Sequence, residues 1–216
     1  MKKDFYNLIT THSGKLAGIP SISTSSLFNV NCKKRACIQS AICYKCYSNF
    51  YQSIRIGLRK KLEKNTELLI NRLLTNKEID SLDIYTLFFR FESFGDLINV
   101  IQFENYCNIA KFFKQTTFAI WTKNPHIISE YVKKGGKIPK NLVIGLSSIF
   151  INERMNDNII SFYEKYFHID FIFTVYDKNF IKDNNIDINC GARKCVKCQN
   201  CYKHHKDTIF INEKLK

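Results

Sequence analysis

Eight of the nine cysteines fall in two compact groups, Cys32, Cys37, Cys43, Cys46 and Cys190, Cys195, Cys198, Cys201. Disulfides seldom persist in the cytoplasm, where this chain is expected to reside, so thiols clustered in this way point to bound metal. The C-terminal group has gaps of four, two and two residues. Four thiolates that close together can wrap one centre with little loop closure. A closed tetrahedral zinc fits the pattern, and so does a cubane 4Fe-4S iron–sulfur cluster; spacing does not choose between them. His204 and His205 follow at once. With four cysteines already sufficient, they read as surface residues.

The N-terminal group is looser, with gaps of four, five and two residues. Only Cys43 and Cys46 have tight chelating spacing. Three readings compete: a closed four-cysteine site, an open iron–sulfur site held by three cysteines with one iron free for a cofactor, or one or two ligands among packed cysteines. The aromatic neighbours Tyr44, Tyr47, Phe50 and Tyr51 either shield such a centre or form core at the start of a helix. Cys107 stands alone in a helical pattern and reads as a packed thiol.

The elements that must position these groups follow a rhythm. Near-continuous apolar runs at 84–91, 116–122, 142–147 and 170–176 read as strands, with helices near 98–113, 125–134 and 157–166 between them. A weak alternating strand at 20–28 precedes the first cysteine group, and 47–76 reads as one helix. This is the signature of βα units and a parallel sheet of five strands, either a partial (β/α) barrel or an open sheet. Residues 1–182 form the βα domain and 183–216 a cysteine-rich metal-binding extension. Parallel units place every strand's C-terminal end on one rim, where sites gather. There the sequence puts the first cysteine group, then Arg90, Glu92, Ser93 and Asp96, then Trp121, Thr122 and Lys123, then Ser147 and Ser148, and finally Tyr176, Asp177 and Lys178. Arg90 and Glu92 flank an aromatic strand, where an unpaired charge is costly.

The formal charge is +14. Two thiolate-bound centres would lower it to about +10. A basic surface favours nucleic acid or an anionic substrate. One basic stretch runs through Lys33, Lys34, Arg35, Arg55, Arg59, Lys60, Lys61 and Lys64, and another surrounds the second cysteine group. No apolar run is long enough to cross a membrane, and Met1-Lys2-Lys3-Asp4 does not open a secretory leader.

Together, Ile19-Pro20-Ser21-Ile22-Ser23, Cys46-Tyr47, Phe91-Glu92-Ser93-Phe94-Gly95-Asp96, Trp121-Thr122-Lys123 and the closing cysteines resemble the phage gene-product-88 family. That resemblance implies a phage, plasmid or prophage setting and carries no activity with it. More distantly, the chain resembles radical S-adenosylmethionine enzymes, whose three-cysteine loop after the first strand holds a cubane with an open iron. The resemblance makes Cys43 and Cys46 the last two ligands and Cys37 or Cys32 the first, although the usual gaps are three and two. It implies S-adenosylmethionine as cofactor, an electron donor as partner, and the C-terminal centre as an auxiliary cluster. Arg90, Glu92, Asp96, Lys123 and Asp177 are then the candidate catalytic groups, and Glu92, Ser93, Gly95, Trp121 and Ser147 the cofactor-binding ones. The competing expectation is a zinc-stabilised protein that binds DNA or RNA through its basic stretches and interleaved aromatics. A metal-dependent hydrolase is weaker, because His12, His126 and His168 are scattered and no carboxylate cluster accompanies them.

Overall fold

The computed structural model describes residues 8–191 and 194–215. Seven strands form one sheet in sequential order: β1 (Ile9–Thr10), β2 (Ser21–Ile22), β3 (Phe88–Phe91), β4 (Thr117–Thr122), β5 (Leu142–Ser147), β6 (Phe171–Tyr176) and β7 (Ile209–Lys214). Only β1 and β2 pair antiparallel; every later pair is parallel. The sheet is open and does not close into a barrel. Three of the expected strands stand where the apolar runs put them, and the one expected at 84–91 contracts to Phe88–Phe91. The strand expected at 20–28 contracts to two residues. β1 and β7 were not expected, since neither has a long apolar run.

Between the strands lie α1 (Val30–Ala36), α2 (Tyr47–Ile54), α3 (Ile56–Asn71), α4 (Asn76–Asp80), α5 (Val100–Phe112), α6 (Pro125–Lys133), α7 (Asp157–Glu164), α8 (Lys178–Asp183) and α9 (Cys195–Cys198). The single helix expected at 47–76 is two, broken at Arg55, whose ψ of 85° leaves the helical region.

Sequential strand order combined with right-handed crossovers carries the helices to one face. Strand alternation then sorts the core. Phe89, Phe91, Phe118, Ile120, Leu142, Ile144, Leu146 and Ile172 point to the helices, where Leu69, Phe103, Tyr106, Ile127, Ile128 and Ile160 meet them. Their neighbours Phe88, Ala119, Trp121, Val143, Phe171 and Phe173 turn to the opposite, inner face. Among the described residues no long helix packs on that face. The cysteine-rich segment does so instead, packing Tyr202, Val196, Cys190, Cys195 and Cys201 against it. Gly145 makes this possible: a Cβ there would collide with the Phe171 ring, which lies edge-on to Trp121 at 5.1 Å. Among the described residues no helix is long and apolar enough to cross a membrane.

Candidate metal centres and the inner face

The first cysteine group is held by polar bonds to the strand ends. Asn29 caps α1, accepting from Asn31 N and Cys32 N, and its amide donates to Asp96 O and Leu97 O. One turn on, Arg35 donates to the Asp96 carboxylate at 3.2 Å, to Lys123 O at 3.1 Å and to Asn124 Oδ1. Asp96 also accepts from Thr122 Oγ1 at 2.6 Å, Leu97 N at 2.8 Å and Lys123 N. This buried carboxylate therefore ties α1 to the ends of β3 and β4 and is fully occupied in doing so. The segment after α1 then crosses the rim. Ala41 bridges Phe150, Ile42 N donates to Ile149 O, and Ile151 N donates to Ser40 O, which fixes the cysteine loop to the turn after β5.

That frame sets Cys32 toward Cys43 and Cys43 toward Cys46, and leaves Cys37 turned outward. Cys32 and Cys43 are buried and lie within electrostatic reach of each other; Cys43 and Cys46 do so as well. Arg35, Lys123 and Asp96 act on both Cys32 and Cys43. Cys37 is exposed, and its Sγ turns back to Lys33 O of its own helix. Burial raises the Cys32 and Cys43 thiols, so each is a protonated thiol until a cation displaces the proton. Of the aromatic neighbours, Tyr44, Tyr47 and Phe50 are exposed and not helix-start core, and Tyr51 is half-buried; the Tyr47 hydroxyl donates to Ser93 O.

At the tail, Cys190, Cys195, Cys198 and Cys201 all act electrostatically on one another, and burial raises Cys190, Cys195 and Cys201. Lys15 reaches across from the N-terminal segment to Cys190 Sγ at 3.0 Å and to Glu213 at 2.6 Å, supplying positive charge beside a thiol. His204 and His205 are not drawn to these thiols. His204 Nδ1 meets Asp170 at 2.9 Å and its Nε2 meets Lys140 O, while His205 bonds Asn200 O. Among the described residues no three His, Cys, Asp or Glu side chains are close enough to hold a metal ion as they stand. The donor sets fit thiolate-bound metal in kind and neighbourhood, and each would have to contract onto the ion.

The other expected site residues divide between the two faces of the sheet. Arg90, Trp121 and Ser147 face inward. The Arg90 guanidinium lies over the Trp121 ring at 3.9 Å. Glu92 turns the other way. It is buried, has a left-handed φ of 57° and accepts from Thr24 N, Thr24 Oγ1, Gln102 Nε2 and Tyr106 OH. Burial pushes its carboxyl up to about 7 despite these donors. Glu92 thus bolts the end of β3 to α5, and Gly95 is glycine because a Cβ would strike Glu92 Oε2 and Thr24 O. Ser93 Oγ joins a hydroxyl chain on the inner side, 2.7 Å from Ser21 Oγ and 3.0 Å from Ser23 Oγ, with His12 Nε2 at 2.7 Å from Ser21. Desolvation, together with Arg90 and Lys61, lowers His12 to about 4, keeping the ring neutral. Asp177 stands apart as the cap of α8, accepting from Asn179 N and Phe180 N. Cys107 is a packed thiol, as expected, pushed up to about 12 by burial.

Several residues that shape the site were not singled out from the sequence: Thr24, Gln102, Tyr106, Asn124 and Tyr202. The spacing of Gln102 and Tyr106 on one face of α5 was a usable signal. So was the bulky ring of Tyr202, set directly after Cys201. The N-terminal basic stretch is partly consumed. Arg35 is bound to Asp96, Arg59 pairs with Glu63, and Lys61 donates to Ile9 O.

A model of the family described as Gene product 88 matches residues 7–213. The chain matches no curated protein and no solved structure.

Proposed function

The chain belongs to the gene product 88 family, and we propose that it is an iron–sulfur enzyme with two thiolate-bound centres serving one inner face. Cys32, Cys43 and Cys46 would hold an open cluster at the strand C-terminal rim. Cys190, Cys195, Cys198 and Cys201 would hold a closed second centre, iron–sulfur or zinc. The observation that carries this reading is the grouping of three N-terminal cysteines, with the fourth turned to solvent. A closed structural site needs four ligands; three leave a position for a cofactor or substrate. Bound there, a cubane supplies one-electron chemistry, with S-adenosylmethionine as the cofactor the distant resemblance suggests. The chain's own residues would do the positioning. Asp96 and Arg35 fix the cysteine loop, Lys123 places a cation beside Cys32 and Cys43, and Arg90 and Trp121 form the floor of the adjacent inner face. Anaerobic purification of Cys43→Ser and Cys37→Ser tests it. Cys43→Ser should lose about four iron relative to the parent, and Cys37→Ser should lose none. Equal losses would favour a closed four-cysteine site instead.

One observation favours a second reading, a zinc-stabilised protein that binds single-stranded nucleic acid. Tyr44, Tyr47 and Phe50 are exposed, Lys45 follows Tyr44 in the chain, and Arg55 lies over the neighbouring Tyr51 ring at 4.8 Å. Rings for base stacking next to cations for phosphates make such a platform. Strongly salt-dependent binding of a single-stranded oligonucleotide by a colourless two-zinc protein would select it.

A further inference from the structure

Arg90 is a cation that the fold brings to the inner face without an ion pair among the described residues. It projects from β3 opposite Ser21 of β2 and Ala119 of β4. The small Ala119 side chain lets the guanidinium lie along the sheet onto Trp121. Its Nε is buried and has no hydrogen-bond partner. A second orphan lies on the same face. Tyr202 is 2% exposed, its ring packs 5.8 Å from Trp121 and 5.4 Å from Phe88, and its hydroxyl is also without a partner. Arg90 and Tyr202 are within electrostatic reach of each other, as are Arg90 and His12. The Ser21 and Ser93 hydroxyls, bonded to neutral His12, stand alongside.

Buried polar groups are nearly always satisfied, so two unpaired groups packed about the same Trp121 ring call for a bound acceptor. Each can donate, and one carries a full positive charge. We propose that Arg90 and Tyr202 form an oxyanion subsite on the inner face, beside the C-terminal cysteine group, which takes the carboxylate or phosphate of a small-molecule substrate. The guanidinium presents Nε and one Nη side-on, an arrangement that suits two oxygens of a planar or tetrahedral anion. Tyr202 donates a third bond, and stacking on Trp121 holds the guanidinium flat. The subsite gives the substrate class for the proposed enzyme and to that extent rests on that reading. The rival role for Arg90 is as counter-charge to metal-bound thiolates at Cys195 and Cys201, both of which feel its charge.

Trp121 is the single tryptophan of the chain, so its fluorescence reports directly on Arg90. The test titrates metal-bearing protein, as purified anaerobically, with inorganic phosphate and separately with acetate, at constant ionic strength. A saturable change is expected with at least one, and the stronger of the two identifies the anion class. Arg90→Gln should weaken binding by about 10- to 100-fold, Arg90→Lys should weaken it because the fork is lost, and Tyr202→Phe should weaken it by about 2- to 10-fold. No saturable change with either anion, or the same response in Arg90→Gln, would overturn the subsite. Iron and zinc are counted on the same samples. Loss of metal from Arg90→Gln assigns Arg90 to the thiolates and also overturns the proposal. A parent protein without metal that still binds anion through Arg90 upholds the subsite and removes only the metal reading.

Discussion

The two cysteine regions reach the same sheet by different means. The N-terminal loop is fastened by directional polar bonds: Asn29, Arg35, Asp96 and Asn124 lock it to the ends of β3 and β4. The C-terminal segment combines such bonds, among them Lys15 to Cys190 and His205 N to Asp170, with an aromatic seat. It is held by one ring, Tyr202, seated on Trp121 and Phe88, by His204 on Asp170, and by β7 pairing with β6. The first region is fixed by the protein's own bonds, as the proposed open site would require. The second has almost no apolar core of its own, so the metal proposed there would double as folding free energy. On the proposed reading, one cysteine group is positioned by the protein, and the other would position the protein.

The largest expected effect follows from that asymmetry. Structural thiolate–zinc sites supply on the order of 10 kcal/mol of metal-coupled folding energy. Cys195→Ser should therefore release the tail from the inner face, making it protease-sensitive and shifting Trp121 emission to the red, while Cys43→Ser leaves the tail in place. Equal unravelling by both variants would erase the distinction. Next comes Asp96→Asn, which removes one partner of an ion pair whose side chains are only 12% and 6% exposed. Breaking a buried pair in this way costs about 3 kcal/mol. Denaturant unfolding should show that loss, along with a drop in iron but not in tail-bound metal.

A pH effect separates the two regions further. Glu92 has its pKa raised to about 7, so the folded state holds a proton that the unfolded state has already lost. Its contribution is full below the unfolded value of about 4.5 and fades as pH rises through about 7, by up to about 3 kcal/mol. His12 runs the opposite way. Its lowered pKa makes the fold lose stability as pH falls below 6.5 toward about 4. Glu92→Gln should flatten the alkaline side of the stability–pH curve, and His12→Gln the acid side. His204, raised by its bond to Asp170, gives the tail contact a stability that is full below pH 6.5 and declines as pH rises through the higher folded value, a loss absent from His204→Gln. The smallest effect is Tyr202→Phe. Removing an unpaired buried hydroxyl should raise the stability of anion-free protein by about 1 kcal/mol, the reverse of what losing a needed bond would do.

Strand positions were legible because β4, β5 and β6 are buried on both faces and so read as continuous apolar runs. β7 was not, because Ile209-Phe210-Ile211-Asn212-Glu213-Lys214 is an edge strand with a polar second half. β1 and β2 are too short to carry a pattern. The convergence of polar groups on one rim was also readable, since parallel topology alone dictates it. Their roles were not. Alternation sent Arg90 inward, whereas Glu92 and Asp96 were absorbed into hydrogen-bond networks with Thr24, Gln102, Tyr106, Arg35 and Thr122 that only tertiary contact reveals. Spacing gave the two cysteine groups. The preference for Cys32 over Cys37 in the proposed site rests on α1 burying one while the other is exposed, which spacing does not reveal.

The most direct measurement is the iron, zinc and acid-labile sulfide content of anaerobically purified protein. About eight iron and eight sulfide per chain, or about four of each with one zinc, is the predicted result. A folded, colourless protein with two zinc ions and no iron, or with no metal at all, would contradict the account.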